Sequence, residues 1–185
     1  TSPIILFIFS LVTMLLYLME RGILSQDAQL LLACIQIGVF PVYLNCAKYS
    51  IQKNENLFGN CYMIFAALFG LAGGLSNLTL YFAGVFGWPA DQRIMGVLWI
   101  WSGIMLIPVV AGMIKGPCFP LFVFTLTIPI LILLGISTFG YFTASLSPII
   151  STLELIISLW GFYCCIANLF IMAGFPLPLG KPIIH

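Results

Sequence analysis

The sequence predicts an all-α membrane protein with six transmembrane helices in one bundle per protomer. Two observations point there. Of the 185 residues 62% are hydrophobic and only 6% charged, where a soluble domain carries about a quarter charged residues. The apolar residues also fall into six runs, each near the ~20 residues a helix needs to cross a bilayer core. The formal net charge of +1 supplies no electrostatic footprint for nucleic acid.

The runs are cut by charged and Pro/Gly-rich breaks. The first extends from about Pro3 to Met19 and stops at "ERG". The second, about Ala28 to Ala47, ends in "KYSIQKNEN", and the third, about Asn60 to Phe86, ends at "GWPADQR". The fourth covers about Ile94 to Ile114, the fifth about Phe119 to Thr143 and the sixth about Pro148 to Ala173. Residues 1–174 thus form the membrane domain, and residues 175–185 a tail whose three prolines forbid helix and imply an extended strap. The chain opens on Thr1 rather than Met, so a preceding segment is expected. The first run lacks the basic flank and cleavage site of a signal peptide.

Loop charge gives an orientation. With both termini on one side, that side holds Lys48, Lys53, Lys115 and Lys181, against Arg21 and Arg93 opposite. Lys/Arg excess marks the cytoplasmic face, so both termini are expected there, and the host membrane is left open.

Short loops leave no soluble domain for catalysis. No phosphate-binding loop, zinc-protease motif or nucleophile elbow occurs, so no enzyme and no cofactor are expected. The six cysteines (Cys34, Cys46, Cys61, Cys118, Cys164 and Cys165) lack metal-ligand spacing and read as free, packed thiols. The single histidine, His185, reads as a surface residue of the tail.

Small residues mark close helix approach: Gly70 and Gly74 in the third run, Gly103, Gly112 and Gly116 around the fourth. Pro41, Pro108 and Pro129 interrupt three runs, each freeing a carbonyl that a neighbour or a solute must satisfy. Asn77 stands in a glycosylation triplet too deep in its span to be modified. It and Thr79 read as interhelical hydrogen-bonding groups. Most of the aromatics, Phe65, Phe69, Trp99, Trp101 and Trp160 among them, face lipid or fill interfaces, while a few can constrict a pore by excluding water.

Several segments taken in order carry a family resemblance. "MGVLWIWSGIMLIPVVAGMIKG" (Met95 to Gly116), "FVFTLTIPILILLGI", "NLFG" (Asn56 to Gly59) and "LPLG" (Leu177 to Gly180) resemble the acetate uptake transporter family of acetate/succinate–proton symporters. The first run retains Pro3, Leu6 and Phe9 where that family has its N-terminal motif. The resemblance implies a fold similar also to proton-gated urea channels, a hexameric ring, and a narrow path in each protomer for a monocarboxylate such as acetate with a proton. It places the pore constriction at Phe9, Ala66 and Leu126, or at Thr127 if the fifth run shifts by one. Pro3, Asn77 and Thr127 become substrate-path candidates. The chain departs from the pattern: the motif's asparagine is absent, its "PLG" is "PII", its constriction tyrosine falls at Ala66, and the second run's glutamine and glutamate find no clear counterparts.

One residue belongs to no inherited pattern. Glu154 is the only carboxylate inside a long apolar run, where the family has a small residue. Either it is a residue near the outer mouth, hydrated or hydrogen-bonded to Ser151, Thr152 or Ser158, or it carries protons. The functional expectation is a proton-linked transporter or channel for a small monocarboxylate. A channel for a neutral solute such as urea or ammonia, and a non-transporting subunit of a larger membrane complex, stay as alternatives.

Overall fold

The computed structural model describes residues 2–25, 27–175 and 177–183. His185 lies outside the described residues. Among the described residues six helices are long and apolar enough to cross a membrane: α1 (Pro3–Glu20), α2 (Ala28–Gln52), α3 (Asn56–Phe86), α4 (Arg93–Met113), α5 (Cys118–Thr138) and α6 (Thr143–Met172). No strand occurs among the described residues. With so few charged or strand-breaking residues inside each run, backbone hydrogen bonding within the helix is the one solution lipid allows.

Several helices outrun the expected spans. α2 continues through "KYSIQ" to Gln52 because nothing there breaks it, and the connector to α3 shrinks to Lys53–Glu55, turned by Asn54 at φ 63°. α5 stops at Thr138, and α6 already begins at Thr143, so Pro148 lies inside the helix rather than at its head. Glu154 therefore sits eleven residues into α6, about 17 Å from its start at 1.5 Å per residue. The middle of α3 widens into a π-helical stretch over Ala66–Ala72, a feature frequent at functional sites.

Each helix packs on its sequence neighbours, and α6 returns to α1, so the six form a closed ring. The broadest contacts join α4 with α5, α1 with α6, and α2 with α3. Small residues make them possible. A Cβ on Gly74 would lie 3.1 Å from the Ala33 carbonyl oxygen of α2, and one on Gly70 3.1 Å from Phe40 Cα. Across α4 and α5, a Cβ on Gly135 would stand 2.6 Å from the Gly96 oxygen, and one on Gly103 3.1 Å from the Ile128 oxygen. Gly161 of α6 faces Ser10 of α1 in the same way. Gly112 meets Leu57, but Gly116 meets only the Met113 carbonyl of its own turn, so that pair is not the helix-packing motif its spacing suggested.

The tail docks on its own chain. Phe119 N–H, an orphan donor of the first turn of α5, reaches the Leu179 oxygen at 3.1 Å, and Tyr163 Oη donates to the Pro178 oxygen at 2.8 Å. Gly180, at φ 80°, lies against Cys118 where a side chain would collide. At the opposite end Asp91 accepts from Arg93 N–H at 3.0 Å and from its Nε at 2.9 Å. The hydrogen bond from the Arg93 side chain holds the Asp91 carboxyl below its ordinary range. The cysteines are free, and Cys34 is exposed rather than packed.

Because Gly135 admits no side chain, Gly135→Ala is expected to cost about 1–3 kcal/mol through overpacking. In detergent its melting temperature should fall by several degrees, while Gly84→Ala, with nothing within 4 Å, should leave it unchanged.

Candidate functional site

A cavity of about 40 Å³ lies inside the ring, and all six helices contribute to its wall. At roughly 10–15 Å³ per enclosed water it has room for about three waters. α1 supplies Phe9, Val12, Thr13 and Leu16, and α2 supplies Gln36, Val39 and Tyr43. α3 adds Phe65 and Phe69, α4 Trp99, α5 Thr127, Ile130, Leu131 and Leu134, and α6 Glu154 and Ile157.

Aromatic rings form much of that wall. Phe9 stacks on Phe124 at 6.1 Å between centroids. Tyr43, Phe65, Phe69 and Trp99 form a chain of rings with centroids 6.2, 5.1 and 5.4 Å apart, the first two pairs edge to face and the last tilted. Phe65 and Phe69 are one turn apart along α3 at the start of its widened stretch. Trp101 and Phe122, by contrast, point outward.

The polar groups are few and unevenly satisfied. Thr13 Oγ1 donates to the Phe9 oxygen at 2.9 Å and Thr127 Oγ1 to the Val123 oxygen at 2.8 Å, so both hydroxyl protons are taken by their own helices. Gln36 and Glu154 are each 1% exposed. Gln36 Oε1 accepts from Asn77 Nδ2 at 2.7 Å, and Asn77 Oδ1 accepts from Gln29 Nε2 at 3.4 Å. Gln36 Nε2 and Glu154 Oε2 have no hydrogen-bond partner among the described residues. No lysine or arginine lines the cavity.

A second space of about 510 Å³ opens at the end of the bundle where α1 begins and α6 ends. Ser2, Pro3, Asn45, Ser50, Lys53 and Glu55 line this vestibule. The Lys53 ammonium lies 4.3 Å from the Tyr49 ring centroid, and its hydrogen bond with Tyr49 holds it above the ordinary lysine value. No described residue lines both spaces. Tyr43 and Phe65 belong to the cavity, and Cys46 and Tyr62, next along the same helices, belong to the vestibule.

The sequence-predicted residues separate accordingly. Phe9, Thr127 and Glu154 meet at the cavity. Ala66 is fully buried but does not line it, because its methyl does not reach where the rings of Phe65 and Phe69 do. Leu126 packs against the core, and its neighbour Thr127 takes the cavity position. Pro3 lies at the vestibule. Asn77 stands behind Gln36 and bonds across helices as expected, but Thr79 donates to Leu75 of its own helix. Glu154 is buried on the cavity wall rather than at a mouth, and the hydroxyls expected to bond it are taken: Ser151 and Thr152 donate to the Pro148 oxygen and Ser158 to the Ser10 oxygen. Gln36 was missed. It stands alone in the apolar run "LLLACIQIGVF", the same signal that singled out Glu154.

No protein-family model and no curated relative matches this sequence. The fold has a solved counterpart in the bacterial acetate channel SatP, with a TM-score of 0.80 and 20% identity over 96% of this chain and 97% of the other. The chain is a six-helix integral membrane protein with the fold of that channel.

Glu154 Oε2 makes no hydrogen bond that a substitution would lose. Replacing an unpartnered buried polar group by an apolar one of similar size removes a desolvation cost. Glu154→Leu should therefore melt at or above the wild-type temperature in detergent. A fall of several degrees would mean that the carboxylate holds the bundle together.

Proposed function

We propose that this protein is a membrane channel or transporter for a small monocarboxylate such as acetate. The solute passes along the axis of the helix ring, and its movement is linked to a proton through Glu154. The observation that carries this reading is a cavity walled by all six helices and lined by Gln36 and Glu154, each with a buried polar atom that has no partner among the described residues. A purely structural bundle gains nothing from such groups, which cost free energy wherever they lie unpaired. The space is of the order of three waters, which suits a solute of four heavy atoms. Likeness to an acetate channel in fold supports the same reading.

The path is gated. Tyr43 and Phe65 stand between vestibule and cavity, and an apolar aromatic constriction blocks by excluding water. Their rings must move for a solute to pass. The vestibule faces the cytoplasm with both termini, and protomers assemble as a homo-oligomer, a hexamer by family resemblance, each with its own path.

Labelled acetate uptake into proteoliposomes tests this. Saturable uptake, stimulated at least severalfold by an inward proton gradient, is expected. Phe65→Ala should raise uptake of a bulkier acid such as butyrate relative to acetate, and Glu154→Gln should remove the gradient dependence. Folded protein with no uptake above empty liposomes would overturn transport in favour of a structural subunit.

A further inference from the structure

Glu154 is 1% exposed and lines the cavity, and its Oε2 has no partner among the described residues. A carboxyl so placed exchanges protons with bulk water only through a group nearer the surface. Three observations identify that group as Glu20. The α1 residues of the cavity wall are Phe9, Val12, Thr13 and Leu16. Glu20, four residues past Leu16, is the next position on that stripe, and it is exposed. Arg21 Nη2 donates to Thr152 Oγ1 at 3.2 Å, so the end of α1 stands beside the α6 residue two positions before Glu154. The two helices are also antiparallel, since α6 ends at the vestibule where α1 begins. A Cα–Cβ bond leans toward the N-terminus of its own helix. Glu20 therefore leans into the bundle, and Glu154 leans toward the end where Glu20 stands.

The surrounding groups leave this pair to itself. Glu20 is the only charge acting on Glu154, and Tyr43 is the other titratable side chain in the cavity wall. Arg21 acts on Glu20, but its guanidinium is engaged with Thr152 and lies 5.9 Å from the Tyr17 ring centroid. Among the described residues Glu20 forms no salt bridge, so its carboxylate is free to take up and release a proton.

We propose that Glu20 is the proton-collecting residue that connects Glu154 to the water at the end of the bundle opposite the vestibule. This rests on reading Glu154 as the group that carries the proton in transport. The Glu20 carboxylate takes a proton from bulk water and passes it to the Glu154 carboxylate through an intervening water. Glu20 returns to its ionised form, Glu154 becomes the neutral acid, and no other bond changes. The reverse sequence empties Glu154.

Hydrogen–deuterium exchange of the Glu154 acid, followed by infrared spectroscopy in proteoliposomes, tests this without requiring transport. The C=O band lost in Glu154→Gln identifies the group, and its shift after transfer to deuterated buffer gives the exchange rate. Glu20→Ala is expected to slow that exchange at least tenfold, and Glu20→Asp to keep most of it. External imidazole, a small proton carrier, should restore the rate in Glu20→Ala. Gradient-driven acetate uptake in Glu20→Ala should fall severalfold in kcat with KM unchanged, and imidazole should restore that as well. An exchange rate unchanged in Glu20→Ala, or the absence of a Glu154 acid band at any pH, would overturn the proposal. Slowed exchange that imidazole does not restore would also overturn it, leaving Glu20 a structural support. Exchange behaving as expected in a protein without acetate uptake would instead overturn transport and leave the relay standing.

Discussion

The bundle depends on backbones coming close enough to close a ring. Lipid offers no hydrophobic drive between helices, so association rests on packing at small residues. Gly70 and Gly74 let α3 settle on α2, Gly96, Gly103 and Gly135 lock α4 to α5, and Gly161 seats α6 on α1. Those three pairs are also the broadest contacts in the molecule. The side chains that point inward are too short to meet everywhere across the axis, and the residual space is the cavity.

That interior is where the expensive groups lie. A carboxyl and an amide, each 1% exposed, lie there, and each has a buried polar atom with no partner among the described residues. The amide is pre-organised by Asn77 and Gln29, so its orientation is fixed before any ligand arrives. The carboxyl has no such support. The aromatic rings of Tyr43, Phe65, Phe69 and Trp99 line the same space.

Much of this was legible in the sequence. Six apolar runs fixed the number of helices, and Gly70 and Gly74 announced the α2–α3 contact. Glu154 stood out because a charge in an apolar run violates the pattern that sets the fold. Other features could not be read. Ring closure depends on which helix faces touch, and hydropathy is nearly uniform around helices buried in lipid. The π-helical stretch over Ala66–Ala72 leaves no mark in hydropathy, and the short methyl of Ala66 falls behind the rings of Phe65 and Phe69 that line the cavity. The span boundaries moved for a local reason: Pro148 is tolerated within the second turn of α6, so the helix began earlier and carried Glu154 deeper than a mouth position. Gln36 was overlooked because a neutral amide is a weaker outlier than a carboxylate, although burial makes it costly for the same reason.

The claim on which the rest turns is that solute travels through the centre of the ring. Thr127, 1% exposed and on the cavity wall, offers the most direct probe. With Thr127→Cys placed in a chain freed of its native cysteines, a small methanethiosulfonate reagent should abolish acetate uptake, and saturating acetate should slow the modification severalfold. Complete modification with uptake unchanged would place the path elsewhere, at the outer face of the bundle or between protomers.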